Sequence, residues 1–484
     1  VLWAQMKTIT GKVLGSDGQP LSDVEVTIQE SNQTVYTNAT GEFSIEAQPG
    51  QTVQVTSLDD EKSTFIVGTQ SSYDVTLKPS ATQVANKEKE IEGVVVTALG
   101  MKREKKALTY STTEVKGADL NTVPTTNFAN NLSGKVAGLQ IKNSGNFGGS
   151  TNIQLRGSRS VMGNNQALIV VDGVPISNAN VNNSRQSQGG TGYDFGNAAS
   201  DLDPNDIESV NVLKGAAATA LYGSLASNGA IMITTKKGKR NQGLGIELNS
   251  TVSVGTVDKS TFVKYQKQYG QGYGPYQSNG YFNSLNGQPS APFGDDASYG
   301  AAFDPNLLVY QWDSWLDNPN GELKPWTAAK NGPIKFFNNP VSYVNSISLT
   351  GGTDKSTYKF AYTNNNETGL LPNSSLNKNS LNGNFSYDFA ENFTATAFFT
   401  YTRQNTTGRN VTGYSGNIIS GFRQWWPVNV DLKQLERAYN LTGTNYTWNW
   451  AGEEANTGPA YWDNPYWSRY KNYQNDTRNR LLTG

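Results

Sequence analysis

The stretch Leu213–Gly238, LKGAAATALYGSLASNGAIMITTKKG, carries glycines, a lysine and a run of small residues. These are the ingredients of a loop that wraps a phosphate. Such a loop needs its glycines followed by Lys-Ser/Thr at the start of a helix, so that backbone N–H groups and the ammonium converge on one anion. Here Lys214 precedes the small residues, and Gly223 is followed by Ser224 and Leu225. Nucleotide binding is therefore disfavoured. The same residues read as a strand (ESVNVL), a tight turn at Gly215 and a short Ala-rich helical turn stopped by Gly223. A turn at Asn228-Gly229 and a second strand, AIMITTK, complete the unit.

Other chemistry is narrowed by what the chain lacks. Its 484 residues include no His and no Cys. That excludes His-dependent triads and bases, thiol nucleophiles, disulfides and the usual zinc sites. Carboxylate, Lys or Tyr chemistry remains, and no pair of such groups is placed to work together. Asp172-Gly173 sits between two apolar runs in ALIVVDGVPI and reads as a hairpin turn. Asp194, Asp201 and Asp203 fall in a long Gly-rich polar stretch; they lack the spacing of a calcium loop and are expected in a solvated loop. No metal site, no cofactor and no enzyme activity are expected. Lys+Arg 39 against Asp+Glu 40 gives a net charge of −1, which leaves no electrostatic footprint for nucleic acid.

The elements that carry these residues change texture along the chain. VLWAQ at residues 1–5 reads as the remnant of a secretory signal peptide. Residues 6–79 alternate with period two between turn signals, the pattern of a small β-sandwich. Ile9, Val13, Val24, Val26, Ile28, Phe43, Ile45, Val53, Val55 and Val75 are its expected inward face. A polar, charged, aperiodic linker follows, leading at 80–98 into a β-prone segment, IEGVVVTALG, that reads either as the first strand of the next domain or as an extended peptide suited to strand addition onto a partner. Residues 99–239 form a mixed α/β unit. From 240 to 484 the strands lengthen, with apolar residues on one face and polar ones on the other. Two hairpins are expected, turned at GGTDKS and AEN. Long strands, short turns at one end and long loops at the other are the pattern of an outer-membrane barrel. No apolar run is long enough for a transmembrane helix. About six such strands are expected, too few to close around the preceding unit. Trp425, Trp426, Trp448, Trp450, Trp462 and Trp467 crowd one long loop. Aromatic faces suit sugar rings, and they equally suit a barrel girdle or a protein lid.

In order, the blocks EGVVVTALGMKREKKALTYSTTEV, NLSGKVAGLQI, IQLRGSRS, ALIVVDGVPI, DPNDIESVNVLKGAAATALYGS and NGAIMITTKKG resemble the SusC-type TonB-dependent transporters of Bacteroidetes outer membranes. The resemblance implies a mainly β protein: a carboxypeptidase regulatory-like sandwich, an α/β plug domain, and the first strands of a 22-stranded transmembrane antiparallel barrel. It implies plug-core roles for Arg156, Asp172, Gly173, Lys214, Gly215, Gly223, Asn228 and Gly229. It implies that Ile91, Glu92, Gly93, Val94, Val95, Val96 and Thr97 bind TonB of a TonB–ExbB–ExbD system, with a SusD-like lipoprotein capping the barrel. Active import of oligosaccharides or peptides across the outer membrane would follow, with the N-terminal domain and plug facing the periplasm or barrel lumen. The alternatives are a siderophore or cobalamin receptor and a structural subunit of an outer-membrane assembly. Leu225 stands where the family usually carries Arg in YGSRA, so an internal plug–barrel ion pair is expected to be missing.

Overall fold

The computed structural model describes residues 6–15, 18–57, 62–77, 94–96, 102–104, 112–120, 127–161, 164–179, 182, 184–275, 280–390, 392–452 and 457–484. The chain divides into two compact units, Val1–Val95 with Lys102–Leu108, and Val96–Met101 with Thr109–Gly484.

In the first unit, β1 (Lys7–Leu14), β2 (Glu25–Ile28), β3 (Gln33–Tyr36), β4 (Glu42–Ala47), β5 (Thr52–Thr56), β6 (Lys62–Ile66) and β7 (Val75–Thr76) make two sheets. Their orders are β4-β1-β7 and β3-β2-β5-β6. Strict alternation sends every second side chain inward. The ten residues named above as the inward face are all buried, in one shared core. β8 (Val94–Val96) and β9 (Lys102–Glu104) form a separate two-stranded sheet. Ile91, Glu92, Gly93 and Thr97 lie outside the described residues, as do the signal-remnant positions 1–5.

The second unit contains a five-stranded sheet and a six-stranded one. β10 (Thr112–Lys116), β11 (Leu139–Asn143), β12 (Thr151–Leu155), β13 (Leu168–Val171), β14 (Val174–Ile176), β15 (Ile207–Leu213) and β16 (Ala230–Thr235) belong to the plug. The main sheet runs β10-β15-β16-β13-β14, with β11 and β12 paired beside it. β15 and β16 are almost wholly buried; β16 opens on the continuous apolar run AIMI that burial on both faces calls for.

β17 (Gly245–Val254) opens the six-stranded sheet. It is followed by β18 (Asn283–Leu285), β19 (Gln288–Ser290), β20 (Asp304–Val309) and β21 (Lys324–Trp326), which lie in a long excursion. β22 (Val341–Gly352), β23 (Ser356–Thr368), β24 (Ser375–Ala390), β25 (Phe393–Thr407) and β26 (Asn475–Thr483) complete the sheet, ordered β17-β22-β23-β24-β25-β26 and antiparallel throughout. Both expected hairpin turns are where the sequence puts them. One face is apolar and open: Leu248, Ile347, Tyr362, Leu381 and Leu481 are each at least 40% exposed. The other face is polar and buried, with Lys359, Thr363, Lys378, Asn382, Thr402 and Gln404. This inversion of an ordinary core, apolar out and polar in, is the signature of a sheet with lipid on one side and a polar lumen on the other.

The plug sits on the polar face. The Gly-rich stretch around Asp194, Asp201 and Asp203 is not a solvated loop. All three carboxylates are buried, at 2%, 3% and 7% exposure. For Asp201 the reason lies beyond its own segment: the sheet presents cations that no local pattern in 177–203 reveals. Arg478 and Arg480 pair with Asp201, Lys378 donates to the Ser200 carbonyl at 3.0 Å, and Lys359 pairs with Asp206. Plug and wall are thus joined by ion pairs even though Leu225 is 71% exposed and contributes none.

Candidate functional site

The two long excursions, 255–340 and 408–474, leave the same end of the sheet and fold together. Trp312, Trp326, Phe336, Phe422, Trp426, Trp448 and Trp450 are buried in one aromatic core. Edge-to-face pairs such as Phe336–Phe422 and Phe422–Trp426, with centroids 5.1 and 5.2 Å apart, add to the area they bury. Three helices give this core its frame. Ile418–Gln424 is capped by Asn417, Leu432–Thr442 by Asp431, and Pro465–Tyr470 by Asn464. Each cap side chain accepts from the first turn, and the second helix ends on left-handed Gly443, a common helix stop.

Against this core lies a cleft of about 60 Å³ walled by Trp425, Trp426, Trp448, Trp462, Phe422 and Tyr461. Its fit is tight: a Cβ on Gly421 would stand 3.1 Å from the Trp462 ring. The Trp462 indole donates to Asp296 at 2.8 Å, which fixes that wall. The Trp425 indole N–H is buried with no acceptor among the described residues. Tyr461, 77% exposed, stands at the mouth. An aromatic-walled cleft suits molecules that present apolar faces.

The six tryptophans therefore separate. Four wall the cleft. Trp450 is fully buried, its ring 4.5 Å from that of Phe293 and its indole bonded to the Thr447 carbonyl at 2.6 Å. It is a packing residue and does not line the cleft. Trp467 is partly buried on the helix Pro465–Tyr470, whose Pro465 and Ser468 reach the cleft.

The base of the loop assembly is bolted to the plug. Arg409, 1% exposed, is held by Asp476 through Nε at 2.5 Å and Nη2 at 3.1 Å. Its Nη1 donates to the carbonyls of Phe147, Gly148 and Asp194 at 2.9, 3.0 and 2.9 Å. Asp194 organises these plug loops in turn. It accepts from Ser150 N and Oγ at 2.8 and 2.6 Å, Asn182 at 3.2 Å and Gly196 N at 3.0 Å. Burial alone would raise its carboxyl, but the hydrogen bonds from Ser144, Ser150 and Gly196 outweigh it and hold the group below the usual carboxylate range. A second tie joins Thr412 to Gly192, N–H to carbonyl at 2.8 Å, four residues before Gly416 at the cleft. Arg409, Asp476, Arg478, Lys359 and Lys378 were not singled out from sequence. A signal existed: each of the two lysines interrupts an alternating strand on its polar parity.

The plug positions named from sequence set turns and tie neighbouring loops, some through the backbone and some through side chains. Arg156 has φ 62° and donates its N–H to the Gly138 carbonyl at 2.7 Å. Asp172, φ 46°, accepts from Thr235 N and Oγ1 at 3.1 and 2.5 Å and so ties the turn at Gly173 to the end of β16. Lys214 precedes the helix Gly215–Tyr222, which stops at Gly223. Asn228 donates to the Asn164 carbonyl at 2.6 Å. Gly229 has φ 95°, and a Cβ there would lie 2.5 Å from Leu155 and 3.0 Å from the Leu213 carbonyl. Only glycine satisfies both demands.

Residues 104–230 match the TonB-dependent Receptor Plug Domain. The TonB-dependent receptor SusC of Bacteroides thetaiotaomicron is 28% identical over 480 residues, 99% of this chain and 41% of that protein. The chain thus carries a TonB-dependent receptor plug and is similar to a SusC-type TonB-dependent receptor over nearly its whole length. TonB-dependent receptor P26 of Formosa agariphila is 32% identical over 48% of this chain and 21% of its own length. Among solved structures, the RagAB peptide importer in its open-open state is similar over 70% of this chain and 36% of that one, at 20% identity and a TM-score of 0.45. The chain spans half or less of the length of these curated relatives.

Proposed function

We propose that this chain is the sandwich, plug and first barrel strands of an energised importer of oligosaccharides or peptides across the outer membrane. The observation that carries it is the plug lodged by buried ion pairs against the polar face of a sheet whose other face is apolar. A barrel so obstructed passes a large solute only if the plug is rearranged, and that needs work from outside the membrane. TonB, in the TonB–ExbB–ExbD system, would supply it by strand addition on Ile91–Thr97, ahead of the plug and behind the linker at 80–90. A SusD-like lipoprotein would cap the loop end. The cleft at Trp425, Trp426, Trp448 and Trp462 would contact ligand or lid, and Trp467 would support it. Stacking on apolar ring faces suits a sugar, and equally an apolar peptide side chain.

Mild-detergent affinity purification of the full-length protein, with mass spectrometry of its companions, tests this. A stoichiometric SusD-like lipoprotein accompanied by glycan hydrolases or peptidases is expected, and the companion enzymes would name the substrate class. Recovery with assembly or secretion machinery would overturn import in favour of a structural subunit. Recovery alone would favour a siderophore-type receptor.

A further inference from the structure

The cleft beside the aromatic core is too small for a ring. At about 60 Å³ it has less than half the volume of the roughly 150 Å³ apolar cavity that binds benzene. A pyranose, bulkier again with its hydroxyls, does not enter it whole. An unbranched side chain does. The slot is also braced against widening. The Trp462 ring lies against the Gly421 backbone, where even a Cβ would come within 3.1 Å, and its indole is held on Asp296 at 2.8 Å.

The walls are four indoles with Phe422 and Tyr461. Aromatic faces are the negative side of the ring and attract a cation placed over them. Among the described residues that line the slot, Asp463 is the one that carries charge. Its Oδ1 accepts from Asn445 Nδ2 at 2.7 Å, and no described residue donates to its Oδ2. Asp296 brings a second carboxylate to the Trp462 wall. Neither acid is ion-paired among the described residues.

The neighbouring cations are directed elsewhere. The helix Ile418–Gln424 gives the slot Ile418, Gly421 and Phe422, with Trp425 next in the same spacing, which is one helical face. Arg423 lies off that face and is exposed. On the helix Pro465–Tyr470, Arg469 is spent on the carbonyls of Pro372, Asn373, Gly408 and Arg409. An aromatic slot with a carboxylate that no cation neutralises is complementary to a small positive group on a slender stem.

We propose that the cleft takes the side chain of a lysine or arginine carried by an imported peptide. The alkyl stem lies between the rings, and the ammonium or guanidinium sits over indole faces and meets Asp463. This rests on the import reading and narrows its substrate class to basic peptides. Size selects a stem over a sugar ring, and charge selects a cation over an apolar or acidic side chain.

The test uses purified full-length receptor in detergent, without TonB or a lid protein. Calorimetric titration compares the tripeptides acetyl-Gly-Xaa-Gly-amide in which Xaa is lysine, Nε-acetyl-lysine or norleucine. The lysine peptide should bind about tenfold more tightly than either, the scale of a desolvated cation–π contact. Asp463→Asn should remove most of that advantage and leave norleucine binding unchanged, and Asp463→Glu should restore it. Trp425→Leu, which keeps an apolar wall without the π face, should reduce it. Thermal unfolding checks that each variant is folded. Equal binding of the lysine and norleucine peptides would overturn the cation site. Binding of cellohexaose that Trp425→Leu abolishes would overturn it in favour of a glycan. Lysine-peptide binding that disappears once a SusD-like lipoprotein is added would make the slot a lid contact and overturn the ligand assignment. Binding is read without TonB, so the two readings fail separately. Lysine selectivity in a receptor that imports nothing would uphold the site and refute import; import with no lysine selectivity would do the reverse.

Discussion

Replacing Arg409 with Gln should free the plug apex from the loop assembly while leaving the barrel wall in place. The guanidinium is 1% exposed and joins Asp476 to three plug carbonyls. Breaking a buried pair by removing one partner costs about 3–5 kcal/mol. Asp476 keeps 15% of its side chain exposed and regains some water, so the lower end applies. About 3 kcal/mol is roughly a 10²-fold change in an opening equilibrium, at about 1.4 kcal/mol per tenfold. Hydrogen exchange should therefore quicken on that order at residues 146–149 and 194–196, whose carbonyls or turns Arg409 holds. Amides of β15 and β16 should keep their rates, since they are buried in a different part of the plug and local openings are largely independent. Arg409→Lys, which restores charge but not the fork, should fall between. Unchanged exchange at the plug apex in the Gln variant would refute the assignment of Arg409 as the tie. Equal quickening in β15 and β16 would also refute it, because the residue would then be supporting the whole plug.

Other consequences can be checked separately. Asp194 is held below the usual carboxylate range, so its contribution is complete above the unfolded-state value of about 3.9 and is lost as pH falls through the lower native value; exchange at 146–149 should quicken in that acidic window, and Asp194→Asn should abolish the dependence. Gly11→Ala would put a Cβ 2.0 Å from the Tyr73 carbonyl, and should loosen the sandwich by about 1–3 kcal/mol, seen as faster proteolysis within 6–77 and no change in 245–484. Trp425→Ala should weaken binding of the imported ligand by up to about tenfold, for a lost aromatic contact of about 0.5–1.5 kcal/mol, with thermal unfolding little altered. Trp450→Ala should instead destabilise the loop assembly by about 3–5 kcal/mol, visible in the melt.

Much of this fold is legible because period two is decisive. The ten inward sandwich residues, the two hairpin turns and the apolar face of β17 all follow from alternation and turn chemistry. In the sheet, alternation gives the parity of each residue but not which face is buried. The plug decides that, and Lys359 and Lys378 are comprehensible only with it in place. The burial of Asp201 was hidden for the same reason: its partners lie far downstream on β26, in Arg478 and Arg480. Within the aromatic loop, composition marks the crowding of tryptophans but cannot separate cleft-wall Trp425 from core Trp450, since both sit in similar aromatic surroundings and only packing tells them apart.

The most direct test of energised import is uptake by cells whose full-length receptor lacks Ile91–Thr97. Surface labelling and heat-modifiability would confirm equal amounts of folded protein in the outer membrane. Loss of uptake, with ligand binding at the cell surface retained, is the predicted result. Uptake equal to that of the intact receptor would contradict it.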